Sequence, residues 1–150
     1  MSATVMDGAA VASRILAETA NRAAQFERAR GRKPCLATVL VGDDPASHTY
    51  VRMKANRCRT TGLDSQFLHL PGDASTNDVV ELVGTLAGDN IVDGILVQHP
   101  LPLQVQQRPV FEAITPAKDR RRRHCCILCV DGLGCQRVSF LYPWRHLAPS

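Results

Sequence analysis

The chain has 150 residues, 45% apolar, 21% charged and 5% aromatic, with a formal net charge of +4, which suits one domain around a single core. No run approaches the roughly 18 apolar residues of a membrane span, and the first ten residues lack a basic-then-apolar secretory layout, so a cytoplasmic setting without membrane partners is expected. The positive charge lies at one end: residues 1–119 carry 12 Lys and Arg against 13 Asp and Glu, residues 120–150 six Arg against Asp131 alone, so no basic nucleic-acid surface is expected on the domain.

From Asp7 to Arg30, Val11, Ile15, Leu16, Ala20, Ala23 and Phe26 recur at mostly three- and four-residue steps, predicting a helix with one apolar side that Gly31 stops. Leu36 to Val41, between Pro34 and Gly42, reads as a strand buried on both faces. Asp44 then caps a second helix, Pro45 takes its first position and Gly62 ends it. Gln66 to Leu70 reads as a second strand, closed by Pro71-Gly72. Ser75 and Asp78 have the spacing of a capping pair ahead of the stripe Val79, Leu82, Val83, Leu86. Ile91 to Val97 is the third strand. Strands alternating with helices predict an α/β fold, a short parallel sheet with flanking helices and the first helix packed against it.

Ligands bind open parallel sheets beyond the carboxyl ends of the strands, where two segments lie. In the first, Gly42 to Lys54, Tyr50 and Lys54 stand four apart on one helix face; in the second, Gln98 to Pro102, Gln98 offers an amide that both donates and accepts. Singly each has an ordinary reading: a solvated lysine passing a ring, a glutamine at a strand end. His48 and His99 have no Asp, Glu or Cys at metal spacing beside them, so no metal site is expected.

Together, the strings Val41-Gly42-Asp43-Asp44-Pro45-Ala46-Ser47-His48-Thr49-Tyr50-Val51-Arg52-Met53-Lys54, Asp93-Gly94-Ile95-Leu96-Val97-Gln98-His99-Pro100-Leu101-Pro102 and Ile114-Thr115-Pro116-Ala117-Lys118-Asp119 resemble the bifunctional methylenetetrahydrofolate dehydrogenase/methenyltetrahydrofolate cyclohydrolase family. The match runs from about Met6 to Asp119, the family's N-terminal folate-binding catalytic domain, which a Rossmann domain for NADP follows. The resemblance implies interconversion of 5,10-methylene-, 5,10-methenyl- and 10-formyltetrahydrofolate. Lys54 would be the proton-transfer group at the one-carbon bridge, Tyr50 would stack on and orient the folate, and Gln98 would position the lysine. Ser47 joins the candidate folate contacts, and Asp119 borders the pterin pocket. Such a lysine needs its pKa brought toward neutrality by burial or cationic neighbours; Arg52 and Arg57 are near in sequence.

Two departures stand out. His99 occupies the family's usual leucine position, and the family continues from Lys-Asp into Val-Asp-Gly, whose aspartate holds the pterin, where this chain has Arg120-Arg121-Arg122-Arg123. Residues 120–150 also hold Cys125, Cys126, Cys129 and Cys135. A one-base shift of CGN arginine codons permits Val-Asp-Gly directly after Asp119, and the same shift permits a Cys-Thr-Pro segment near Tyr142. The expected organisation is therefore a folate-binding domain over 1–119 and a frameshifted tail over 120–150. No glycine-rich dinucleotide fingerprint is present, so the C-terminal Rossmann domain is expected to be missing and NADP to have no site. The expected outcome is an impaired or inactive fragment, monomeric where the family forms homodimers. The alternative is a non-catalytic α/β binding protein whose Cys-rich basic tail, with His124, binds zinc or nucleic acid.

Overall fold

The computed structural model of the chain describes residues 7–115, 117 and 118. Helix α1 (Gly8–Arg30) starts where the Asp7 carboxylate accepts from the amides of Ala9 and Ala10, and stops at Gly31, whose φ of 70° closes the last turn. Strand β1 (Cys35–Val41) follows, then α2 (Pro45–Thr60), β2 (Asp64–Leu70), α3 (Thr76–Gly88), β3 (Gly94–Val97) and the short α4 (Gln107–Glu112). The sheet order is β2-β1-β3 with both pairings parallel, Cys35 opposite Asp64, Val41 opposite Leu70 and Val39 opposite Val97. The α/β layout is the expected one.

The central position of β1 explains its run of apolar residues, since both its faces need cover. Ala37, Val39 and Val41 face one core with Ile95 and Val97 of β3, Val79, Val83 and Leu86 of α3, and Val110 and Phe111 of α4. Helix α2 packs over β1 and β2, with Val51 and Cys58 buried. The capping box at α3 is complete: Ser75 and Asp78 each accept from the other's backbone amide.

Two expectations need correction. The apolar side of α1 is buried only at Ala23 and Phe26; Val11 and Ile15 remain 43% and 44% exposed, because nothing among the described residues covers the first turns. The third strand begins at Gly94 rather than Ile91. The Asp89 carboxylate takes the Ile91 amide at 2.8 Å and the Asp89 carbonyl the Val92 amide at 3.2 Å, so the chain is still turning out of α3 there. Between Pro102 and Ile114 the structure adds one more element. Helix α4 forms there with Pro109 in its first turn, where a missing N–H costs little.

Asp93 lies at the amino end of β3, away from the strand ends that carry sites. Its carboxylate pairs with both terminal nitrogens of Arg32 at 2.6 and 2.9 Å and accepts from the Cys35 amide at 2.9 Å, and the first of these bonds pushes the Arg32 guanidinium further up in pKa. Lys118 likewise binds backbone: Nζ donates to the Asp89 and Leu86 carbonyls at the end of α3 at 2.5 and 3.4 Å, a cation at the negative end of the helix. Its carbonyl accepts from the Ile95 amide at 2.7 Å, lining the last motif along β3.

Cys35 and Cys58 are buried, and burial pushes both thiols up in pKa. In native protein at pH 8 both should be alkylated by iodoacetamide far more slowly than after unfolding in urea, each followed by mass spectrometry of its peptide. Equal native and unfolded rates would contradict the packing. Among the described residues, no helix is long and apolar enough to cross a membrane.

Candidate active site

Two strand ends bring the candidate residues together. Beyond Val41, Gly42 takes φ of 85°, a conformation strained for any residue with a Cβ, and its amide donates to the Leu70 carbonyl at 2.9 Å. The Asp44 carboxylate then accepts from the Ser47 amide at 2.8 Å and starts α2; hydrogen bonds from Ser47 hold this carboxyl below the usual carboxylate range. Ser47, Tyr50 and Lys54 follow at three- and four-residue steps, so one helix face presents all three.

Beyond Val97, the Gln98 amide donates to the Val39 carbonyl at 2.8 Å, extending the pairing by one residue. This places the Gln98 side chain, 4% exposed, under α2. Its Oε1 accepts from Lys54 Nζ at 2.5 Å, while its Nε2 donates to the His99 carbonyl at 2.6 Å. An ammonium only donates and a carbonyl only accepts, so the amide has one allowed orientation. Ser47, 2% exposed, reaches the same carbonyl with its hydroxyl at 3.5 Å. Lys54, Gln98, the His99 carbonyl and Ser47 thus form one polar chain linking α2 to the exit of β3.

Lys54 is half-buried beside this chain, whereas Arg52 and Arg57 are exposed. Tyr50 is 57% exposed, leaving its ring open for a flat ligand to stack on. The half-buried His99 imidazole stacks on Phe111, ring centroids 5.4 Å apart. Asp119 and the tail over 120–150 lie outside the described residues.

The structure gives His48 a carboxylate and a second imidazole as neighbours. Asp43 Oδ1 lies 3.5 Å from His48 Nε2 and 3.2 Å from His69 Nε2, and the three ligand atoms lie within 4.8 Å of one another. No sequence spacing foretold this, because His69 is on a different strand and arrives through the β1–β2 register. Dinucleotide chemistry finds no comparable support: among the described residues the strands exit through Gly42-Asp43-Asp44, Pro71-Gly72-Asp73 and Gln98-His99-Pro100, none a glycine-x-glycine-x-x-glycine turn opening a helix.

Residues 6–120 match the family described as tetrahydrofolate dehydrogenase/cyclohydrolase, catalytic domain. The bifunctional protein FolD 1 of Salinispora arenicola is 52% identical over 149 residues, covering 99% of this chain and 50% of that protein. The bifunctional protein FolD 1 of Streptomyces avermitilis is 49% identical over 118 residues, 79% of this chain and 41% of that one. Among solved structures, the bifunctional FolD methylenetetrahydrofolate dehydrogenase/cyclohydrolase from Campylobacter jejuni superposes with a TM-score of 0.73 at 40% identity, over 77% of this chain and 41% of its own. The Trypanosoma brucei enzyme, solved with NADP cofactor and inhibitor, gives 0.71 at 33%, over 78% and 40%. This chain spans about half the length of the curated relatives it matches. By profile, identity and fold, it belongs to the tetrahydrofolate dehydrogenase/cyclohydrolase family through the catalytic domain.

Proposed function

We propose that this chain carries the folate side of an enzyme that interconverts 5,10-methylene-, 5,10-methenyl- and 10-formyltetrahydrofolate in cytoplasmic one-carbon metabolism. The observation that carries the reading is the 2.5 Å contact between Lys54 and the buried Gln98 at the joined ends of β1 and β3. Lys54 is the general acid/base. In hydrolysis of the cationic methenyl bridge, a water oxygen bonds to the bridge carbon and gives up both its protons as it becomes the formyl oxygen. The bond from that carbon to one ring nitrogen breaks, that nitrogen keeps the electron pair and gains one proton, and the other proton leaves to solvent. The Gln98 carbonyl holds Nζ in place, and the His99 carbonyl holds Gln98. Tyr50 stacks on the folate, Ser47 lines the same cleft, and Asp119 borders the pterin.

The Trypanosoma brucei relative, solved with NADP cofactor and inhibitor, supports a nicotinamide cofactor for the dehydrogenase half-reaction of the full-length enzyme. The described residues do not fit it, so no step of this chain is routed through it. Hydrolysis by this chain is expected to be slower than by the full-length Salinispora relative. Calorimetry with tetrahydrofolate is expected to give one equivalent bound, weakened about tenfold by Tyr50→Ala through loss of stacking. A folded chain that binds no folate would overturn the reading. Light scattering is expected to find the chain monomeric.

For the organisation, the proposal is a catalytic domain over 1–119 followed by an out-of-frame segment over 120–150. The profile match ending at residue 120 supports that boundary. A second reading, an in-frame insertion, is supported by the Salinispora match over 99% of the chain and by Val130-Asp131-Gly132, which repeats the tripeptide carried by the family after Lys-Asp. Sequencing the encoding DNA separates them: a neighbouring frame reading Val-Asp-Gly directly after Asp119 supports the first, and its absence the second.

A further inference from the structure

We propose that Asp43, His48 and His69 form a binding site for a divalent transition-metal ion, with zinc the best chemical fit, at the mouth of the β1–α2 loop. The site is separate from the Lys54–Gln98 pair and independent of the folate reading.

The donor set comes first. Two imidazoles and one carboxylate suit zinc and its neighbours in the transition series, whereas magnesium and calcium take all-oxygen shells. Spacing agrees. Ligand atoms about 2.0–2.1 Å from zinc at a tetrahedral angle stand about 3.4 Å apart, and the two imidazole nitrogens are 3.5 and 3.2 Å from the same Asp43 oxygen. The Gly42 carbonyl, 3.1 Å from His69 Nε2, adds an oxygen at the same rim.

The frame is preorganised, which limits the entropy lost on binding. Asp43 sits in a loop clamped to β2 through the Gly42 amide and the Leu70 carbonyl. His48 lies in the first turn of α2, and His69 belongs to the β1–β2 ladder. Phe67 steadies both rings: His69 stacks on it with an interplanar angle of 10° and a centroid distance of 6.2 Å, and His48 meets it edge-on at 6.4 Å. The carboxylate is 75% exposed and the imidazole side chains 42% and 36%, so an ion has a path in and water can complete its shell. The Asp43 carboxylate bridges the two rings, and an entering cation replaces that bridge.

The test uses the full chain carrying Cys125→Ser, Cys126→Ser, Cys129→Ser and Cys135→Ser, so that these thiols do not compete. Calorimetry with Zn²⁺ is expected to show one equivalent bound, and His48→Gln and His69→Gln are each expected to weaken it at least about 100-fold, as loss of a direct ligand must exceed the effect of losing its outer partners. Absorption with Co²⁺ is expected to show ligand-field bands without thiolate charge transfer. Circular dichroism checks that both surface variants fold. No saturable binding to the parent chain, unchanged affinity in both folded variants, or a thiolate charge-transfer band would each overturn the proposal.

Discussion

Lys54→Met is expected, on the function proposed above, to slow hydrolysis of 5,10-methenyltetrahydrofolate by about 10²- to 10⁴-fold, the range set by removing a positioned general acid/base. Methionine keeps most of the length and apolar stem of lysine and removes only the ammonium, so tetrahydrofolate affinity should stay within about threefold, a small change on the scale of a lost anchor. The decrease should appear in kcat at saturating substrate, read from the loss of methenyl absorbance in the absence of nucleotide. A variant with parental kcat would remove Lys54 from the chemistry. The same substitution also strips the buried Gln98 carbonyl of its donor, which should cost about 1–3 kcal/mol of folding stability. The two readouts are separable because one is a rate on folded protein and the other a urea midpoint.

Ile95→Ala is expected to destabilise the domain by about 2–5 kcal/mol, the cost of lost burial plus the cavity left behind. Ile95 is 0% exposed and stands in the four-residue β3, paired with Ala37 and enclosed in the core with α3 and α4. A small domain holds only about 5–15 kcal/mol in all, so this loss is a large part of the total. Ile95→Val removes one methylene group and should cost about 0.5–1.5 kcal/mol. Urea unfolding followed by circular dichroism measures both, and an Ile95→Ala cost below about 1 kcal/mol would show that this sheet face is not the core.

Helix α3 shows what local chemistry makes legible: Ser75 and Asp78 satisfy one another's amides, and the stripe from Val79 to Leu86 buries one face, all within thirteen residues. Asp7, Gly31, Asp44 and Pro45 mark the ends of α1 and α2 for the same reason, since orphaned backbone groups must be met nearby. The apolar run of β1 announced a central strand because both its faces need cover. Helix α1 marks where this runs out, because its apolar side is written in sequence while its cover is not.

The sequence by itself determined the parallel α/β order, the helix caps and the face of α2 that carries Ser47, Tyr50 and Lys54. These follow from steric and hydrogen-bonding rules acting over a few residues. Only the tertiary structure decided that Lys54 meets Gln98, 44 positions away, that Asp93 serves Arg32 at the far end of the sheet, and that His48 and His69 share one carboxylate. Each depends on how β2 and β3 register against β1, where a slip of one residue turns every side chain to the opposite face. That register is set by burial summed over the whole core.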